Sequence, residues 1–95
     1  MVASVLPVWI EDGDGTIVRG VAESVTRGGV LVTLSATPAF GEGAGVALRL
    51  SLDPESPTVA ATARVSWVKR EGPAECGLEW TSLERSLEDW LVSRN

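Results

Sequence analysis

The sequence predicts an all-β domain with a terminal helix: a six-stranded antiparallel β-barrel capped or flanked by a C-terminal α-helix. Three observations carry that expectation. Short segments in which apolar and polar residues alternate recur along the chain, the mark of half-buried strands. Ten glycines and five prolines are spread between them as turn signals. Near the C-terminus the apolar period changes from that of a strand to that of a helix. A sheet of short strands must hide its edges, and closing into a small barrel does so. The length of 95 residues gives one domain, with the barrel over about 5–80 and the helix over about 82–93.

The first strand is read from Val5 to Ile10, with Leu6, Val8 and Ile10 on one face. Pro7 lacks an N–H and places it at a sheet edge or end. Glu11-Asp12-Gly13-Asp14-Gly15 is a turn. Thr16 to Val25 is a longer strand of impure alternation, and Gly20 in its middle suggests a bend or bulge. Thr26-Arg27-Gly28-Gly29 is the second turn, and Val30 to Leu34 the third strand. Ser35 to Gly45 is a loop, marked by Pro38 and three glycines. Val46 to Leu52 alternates cleanly, with Val46, Leu48, Leu50 and Leu52 inward. The turn Asp53 to Pro57 separates it from Thr58 to Val68, whose inward set is Val59, Ala61, Ala63, Val65 and Trp67. Lys69 to Ala74 is a polar turn. Glu75 to Trp80 is the sixth strand, with Cys76, Leu78 and Trp80 inward. Leu83, Leu87, Trp90 and Leu91 then form one helical stripe. Thr81-Ser82-Leu83-Glu84 reads as a capping box at its start.

Composition excludes most chemistry. With no histidine there is no imidazole base and no His-ligated metal. One cysteine allows no internal disulfide and no Cys-rich zinc site, and Cys76 reads as a buried, reduced, structural residue. Eight Lys plus Arg against thirteen Asp plus Glu give a net charge of −5, which disfavours nucleic acid. Met1 to Leu6 has no positive n-region, and no run approaches a membrane helix, so a cytoplasmic protein without membrane insertion is expected. No enzyme, cofactor or metal is expected.

The motifs that invite a chemical reading weaken on inspection. Asp12-Gly13-Asp14-Gly15 looks like part of a calcium loop. Aligning Gly15 with the loop's obligatory glycine puts Ile10 and Val21 where carboxylates belong, so a solvated hairpin turn is expected. Glu84, Glu88 and Asp89 fall on the outer face of the helix, a solvated acidic face. Arg27-Gly28-Gly29 has no following helix and reads as a turn rather than a phosphate loop. Trp67, Trp80 and Trp90 are in inward phase. Trp9 is in the opposite phase to Leu6, Val8 and Ile10, and is either an exposed interface aromatic or covered by a neighbouring element.

In order, these pieces resemble the PilZ domain family. Ala22 to Val32 resembles the family's first turn, an Asp or Asn, one residue, a Ser, two residues, a Gly and an apolar strand. Gly45 to Leu50 is similar to its G-x-x-V-x-L strand, Ala63 to Val68 to its G-x-V-x-W strand, and Cys76 to Trp80 to the strand before its helix. The resemblance covers about Leu6 to Leu91 and implies the same barrel-and-helix fold. It also implies, as the usual activity, binding of cyclic di-GMP by an N-terminal Arg-x-x-x-Arg segment and by the turn.

The sequence departs from the pattern at both places. Met1 to Val5 holds no arginine, Ser24 stands where the family has Asp or Asn, and Thr26 stands where it has Ser. Charged hydrogen bonds are worth about 1.5–3 kcal/mol each, so losing two arginines would cost orders of magnitude in affinity. The expectation is therefore a non-enzymatic adaptor that acts through an unidentified protein partner, without cyclic di-GMP. The resemblance implies surface motility, type IV pilus or polarity control. The degenerate turn Ser24, Thr26, Arg27, Gly28 and Gly29 is the candidate binding surface, with Trp9 and Arg19 as further interface residues. The rival is a nucleotide sensor that still binds cyclic di-GMP through Arg27, Arg19 and the Gly28-Gly29 turn.

Overall fold

A computed structural model describes residues 6–52, 55 and 57–94. Its elements are β1 (Leu6–Glu11), β2 (Ile17–Val25), β3 (Gly29–Leu34), β4 (Gly45–Leu50), β5 (Val59–Lys69), β6 (Glu75–Leu83) and α1 (Arg85–Arg94). The strands form a closed antiparallel barrel in the order β1-β2-β3-β6-β5-β4. Closure is made by β1, which pairs with β2 on one side and with β4 on the other, Ile10 lying opposite both Val18 and Leu48. This matches the fold class expected. Val5, the first residue of the predicted strand, lies outside the described residues, as does much of the turn from 53 to 57.

The alternation read from the sequence becomes the core. Leu6, Val8 and Ile10 of β1, Val46, Leu48 and Leu50 of β4, and Val59, Ala61, Ala63 and Val65 of β5 all face inward and are buried. Leu87 and Leu91 of α1, one turn apart, join the same cluster, so the helix is packed on the barrel. Phe40 and Pro38 are buried from the long loop between β3 and β4. That loop is held by a hydrogen bond from Arg70 Nη2 to Phe40 O at 2.6 Å.

Four local expectations are corrected. The bulge in β2 falls at Glu23, between Ala22 and Ser24, and not at Gly20. It explains the impure alternation: one extra residue turns Val25 into the core and Ser24 to the outer face. Gly20 has a different role, since a side chain there would meet Thr33 O at 2.6 Å. The second correction is Trp67, which is not in the core but 40% exposed. Ser66 is an extra residue in the β5–β6 ladder, where Val65 pairs with Leu78 and Trp67 with Gly77, so the phase of β5 inverts after Val65. Third, β6 runs to Leu83 and the helix begins at Arg85, so the capping box does not form. Thr81 is the extra residue of a second irregularity, and its hydroxyl meets that of Thr62 at 2.9 Å. Glu84 begins the helix instead, with its carbonyl accepting from Leu87 N and Glu88 N. Its carboxylate accepts from Ala60 N at 2.6 Å and ties the helix start to β5. Fourth, Leu52 is only half-buried and lies beyond the end of β4.

Candidate functional site

The turn between β2 and β3 is built by its own side chain. Thr26 N donates to Gly29 O at 2.9 Å. Thr26 Oγ1 accepts from Gly28 N and from Gly29 N, both at 3.2 Å, and also lies 3.3 Å from Gly29 O. Trp80 fastens the turn to β6, its backbone N donating to Gly28 O at 3.2 Å and its indole Nε1 to Thr26 O at 2.8 Å. Trp80 is thus half-buried with its ring against the core and its N–H spent on the turn. Neither Gly28 nor Gly29 takes a positive φ. Gly29 is there for space, because a Cβ would collide with the Leu78 carbonyl of β6. The side chain of Arg27 is exposed at the tip.

Beside this turn lies a shallow hollow on the outer face of the barrel, of about 530 Å³. The ladder registers define it. Ser24 of β2 lies opposite Leu31 of β3, Leu31 opposite Gly77 of β6, and Gly77 opposite Trp67 of β5. One outward row therefore crosses four strands, from a serine to a tryptophan, with a glycine between. The Trp67 ring lies over Gly77 so closely that a Cβ there would overlap the indole. One step along β6, Glu79 is exposed opposite Gly29. Glu79 is the one ionisable residue among those lining the hollow.

The structure brings Ser24, Thr26, Gly28 and Gly29 together on this hollow, and Arg27 projects from its rim turn. It does not bring Trp9 or Arg19 there. Trp9 is half-buried on the outer face of β1, between Arg19 of β2 and Arg49 of β4, and lines a separate hollow with Ile17, Ala60 and Leu83. Arg19 is exposed and lines a third hollow with Pro7, Thr33 and Ser35. Its backbone carbonyl accepts from both Ser35 N and Ser35 Oγ. Glu84 is engaged by Ala60 N, while Glu88 and Asp89 are exposed on the helix. Sequence reasoning missed Trp67, Leu31, Gly77 and Glu79. The available signal was Gly77, an isolated glycine inside a strand pattern, which marks a close approach.

The acidic turn after β1 is a hairpin turn. Asp12 Oδ1 accepts from Asp14 N and Thr16 N at 3.0 and 3.2 Å, Asp14 Oδ1 accepts from Thr16 N at 3.0 Å, and Gly15 has φ +90. The carboxylates accept from the turn's own backbone N–H groups. No cluster of three metal-binding side chains occurs among the described residues. Among them, too, no helix is long and apolar enough to cross a membrane.

Comparison with known proteins agrees with this architecture. The PilZ domain family profile matches residues 2–93. The fold is similar to that of the Bacillus subtilis inhibitor of motility, MotI/DgrA, with a TM-score of 0.76 and 20% identity over 98% of this chain. The chain spans about half of that protein, 47% of its length. It is also similar to the PilZ domain of CeSA from a cellulose-synthesizing bacterium, with a TM-score of 0.70 and 27% identity over 96% of this chain and 89% of that one. No sequence among curated proteins matches significantly.

Proposed function

The chain belongs to the PilZ domain family, and from that premise we propose that it is a non-enzymatic regulatory module acting by protein contact, independently of cyclic di-GMP. One observation carries the reading. Two N–H groups of the turn, those of Gly28 and Gly29, are both taken by Thr26 Oγ1. A phosphate would have to displace bonds the turn already makes, and buried or spent donors give little affinity. The electrostatics point the same way, because the ionisable group lining the hollow is the carboxylate of Glu79, the wrong sign for a phosphodiester. An exposed tryptophan beside a polar rim suits a protein surface, where Trp is enriched among residues that dominate binding. The processes proposed are those the resemblance implies, surface motility, type IV pilus or polarity control. The motility named for MotI/DgrA supports that choice.

Titration calorimetry with cyclic di-GMP tests the reading. The expected result is no saturable heat at tens of micromolar ligand. Saturable heat with one or two dinucleotides per chain overturns it and restores the nucleotide-sensor alternative.

A further inference from the structure

Trp67 and Glu79 are unusual neighbours for an outer barrel face. An exposed indole over a glycine offers one flat π-face to solvent, and its edge is fixed because the ring is seated on the Gly77 backbone. Same-face residues along a strand are about 6.6 Å apart, so Glu79 stands roughly that far from Gly77 and the ring above it. A flat aromatic face and a carboxylate at that separation are the two groups a guanidinium uses at once, stacking on the first and donating hydrogen bonds to the second.

The other charges nearby leave that pair open. Arg27 projects from the turn but does not line the hollow. Arg64 lies opposite Glu79 in the β5–β6 ladder, yet it lines a different hollow, with Gly45 and Thr81, and makes no ion pair with Glu79. Neither Trp67 Nε1 nor the Glu79 carboxylate has a hydrogen-bond partner among the described residues. The chain's net charge of −5 favours a cationic visitor further.

We propose that the hollow over Gly77 receives an arginine side chain of a partner protein, with Trp67 as the stacking face and Glu79 as the counter-charge. This rests on the reading of the domain as a protein-contact module and names the chemistry by which the partner is held. An arginine suits the site better than a lysine, since its planar group stacks and its fork of donors fits a carboxylate.

The test is a magnetic-resonance titration of the isotope-labelled full chain with N-acetyl-arginine amide and, separately, with its neutral isostere N-acetyl-citrulline amide. Expected are shifts confined to the Trp67 indole N–H and to the backbone amides of Gly77, Glu79 and the 26–29 turn, with arginine and not with citrulline. Glu79→Gln and Trp67→Ala should each weaken the response about three- to fivefold, the scale of one exposed cation–π contact or surface ion pair. Glu79→Gln is on the surface and leaves the fold readable where Trp67→Ala does not. No localised shift, an equal response to citrulline, or an unchanged response in Glu79→Gln overturns the inference. A third titration, with cyclic di-GMP, separates the two claims. Shifts of these same signals by the dinucleotide refute the proposed function, whereas silence to both arginine and the dinucleotide refutes only this one.

Discussion

Leu87→Ala is the sharpest test of how the domain is held together. Leu87 is fully buried on the face of α1 that joins the barrel core, one turn before Leu91. The substitution removes three carbons. At ~0.8 kcal/mol for each buried carbon the transfer loss alone is about 2.4 kcal/mol. The cavity left in a core that relaxes only in part adds to this, for a total of about 2.4–5 kcal/mol. A domain of 95 residues has about 5–15 kcal/mol in total, so this is a large share of its stability. Urea denaturation followed by tryptophan fluorescence should show a lower midpoint at an unchanged slope. In a thermal melt the midpoint should fall by at least ~8 °C. Val92→Ala is the control, since Val92 is on the same helix but 56% exposed, and it should move stability by no more than ~0.5 kcal/mol. If Leu87→Ala and Val92→Ala behave alike, the helix is not packed on the barrel and the account of the core is wrong.

Two further outcomes follow from titratable groups. Cys76 is buried on β6 and desolvation pushes its thiol up to about 11, so an aromatic disulfide reagent should leave it untouched at neutral pH in the native chain and react fully in denaturant; fast native-state labelling would show that β6 opens. Asp14 is held at about 2, below its ordinary 3.8, by hydrogen bonding with the Asp12 side chain and then with Thr16. A depressed folded value means that its contribution is present above 3.8 and is lost as pH falls toward about 2, so Asp14→Asn should flatten the pH dependence of the unfolding midpoint across that window, and an identical profile in the variant would refute it.

Most of the barrel is legible in the sequence because one face of each strand is buried. Leu48 and Leu50 must face inward, and the period of two then places Ala47 and Arg49 outside. What resisted reading are the positions where that period slips. Ser66 adds a residue that no propensity marks, since serine is at home on either face, and everything beyond it inverts, Trp67 included. The same holds for Thr81, where the sequence pattern of a capping box coincides with an irregular strand end. In β2 the slip was visible as broken alternation, but the conspicuous Gly20 drew the bulge away from Glu23. The candidate site was half legible. Its turn lies in one contiguous segment, whereas Gly77, Glu79 and Trp67 reach it only through the pairing of β3 with β6 and of β6 with β5. Trp9 and Arg19 are grouped with the turn only through the binding face that the resemblance implies, and their places on β1 and β2 put them on other hollows.

The closure of the barrel by β1 and β4 has a consequence for how the molecule comes into being. Among the barrel strands, β1 waits for β4, and β3 waits for β6, the last in chain order, before its second ladder can be completed. Until β6 has been synthesised, that meander keeps an unpaired row of N–H and C=O groups on β3, and β1 keeps another until β4 arrives. Non-local pairings of this kind make folding slow, in the millisecond-to-second range of β-barrels, and nearly all-or-none. A chain cut short anywhere before Leu83 therefore carries open strand edges, and such fragments should be cleared or aggregate rather than persist as a smaller working domain.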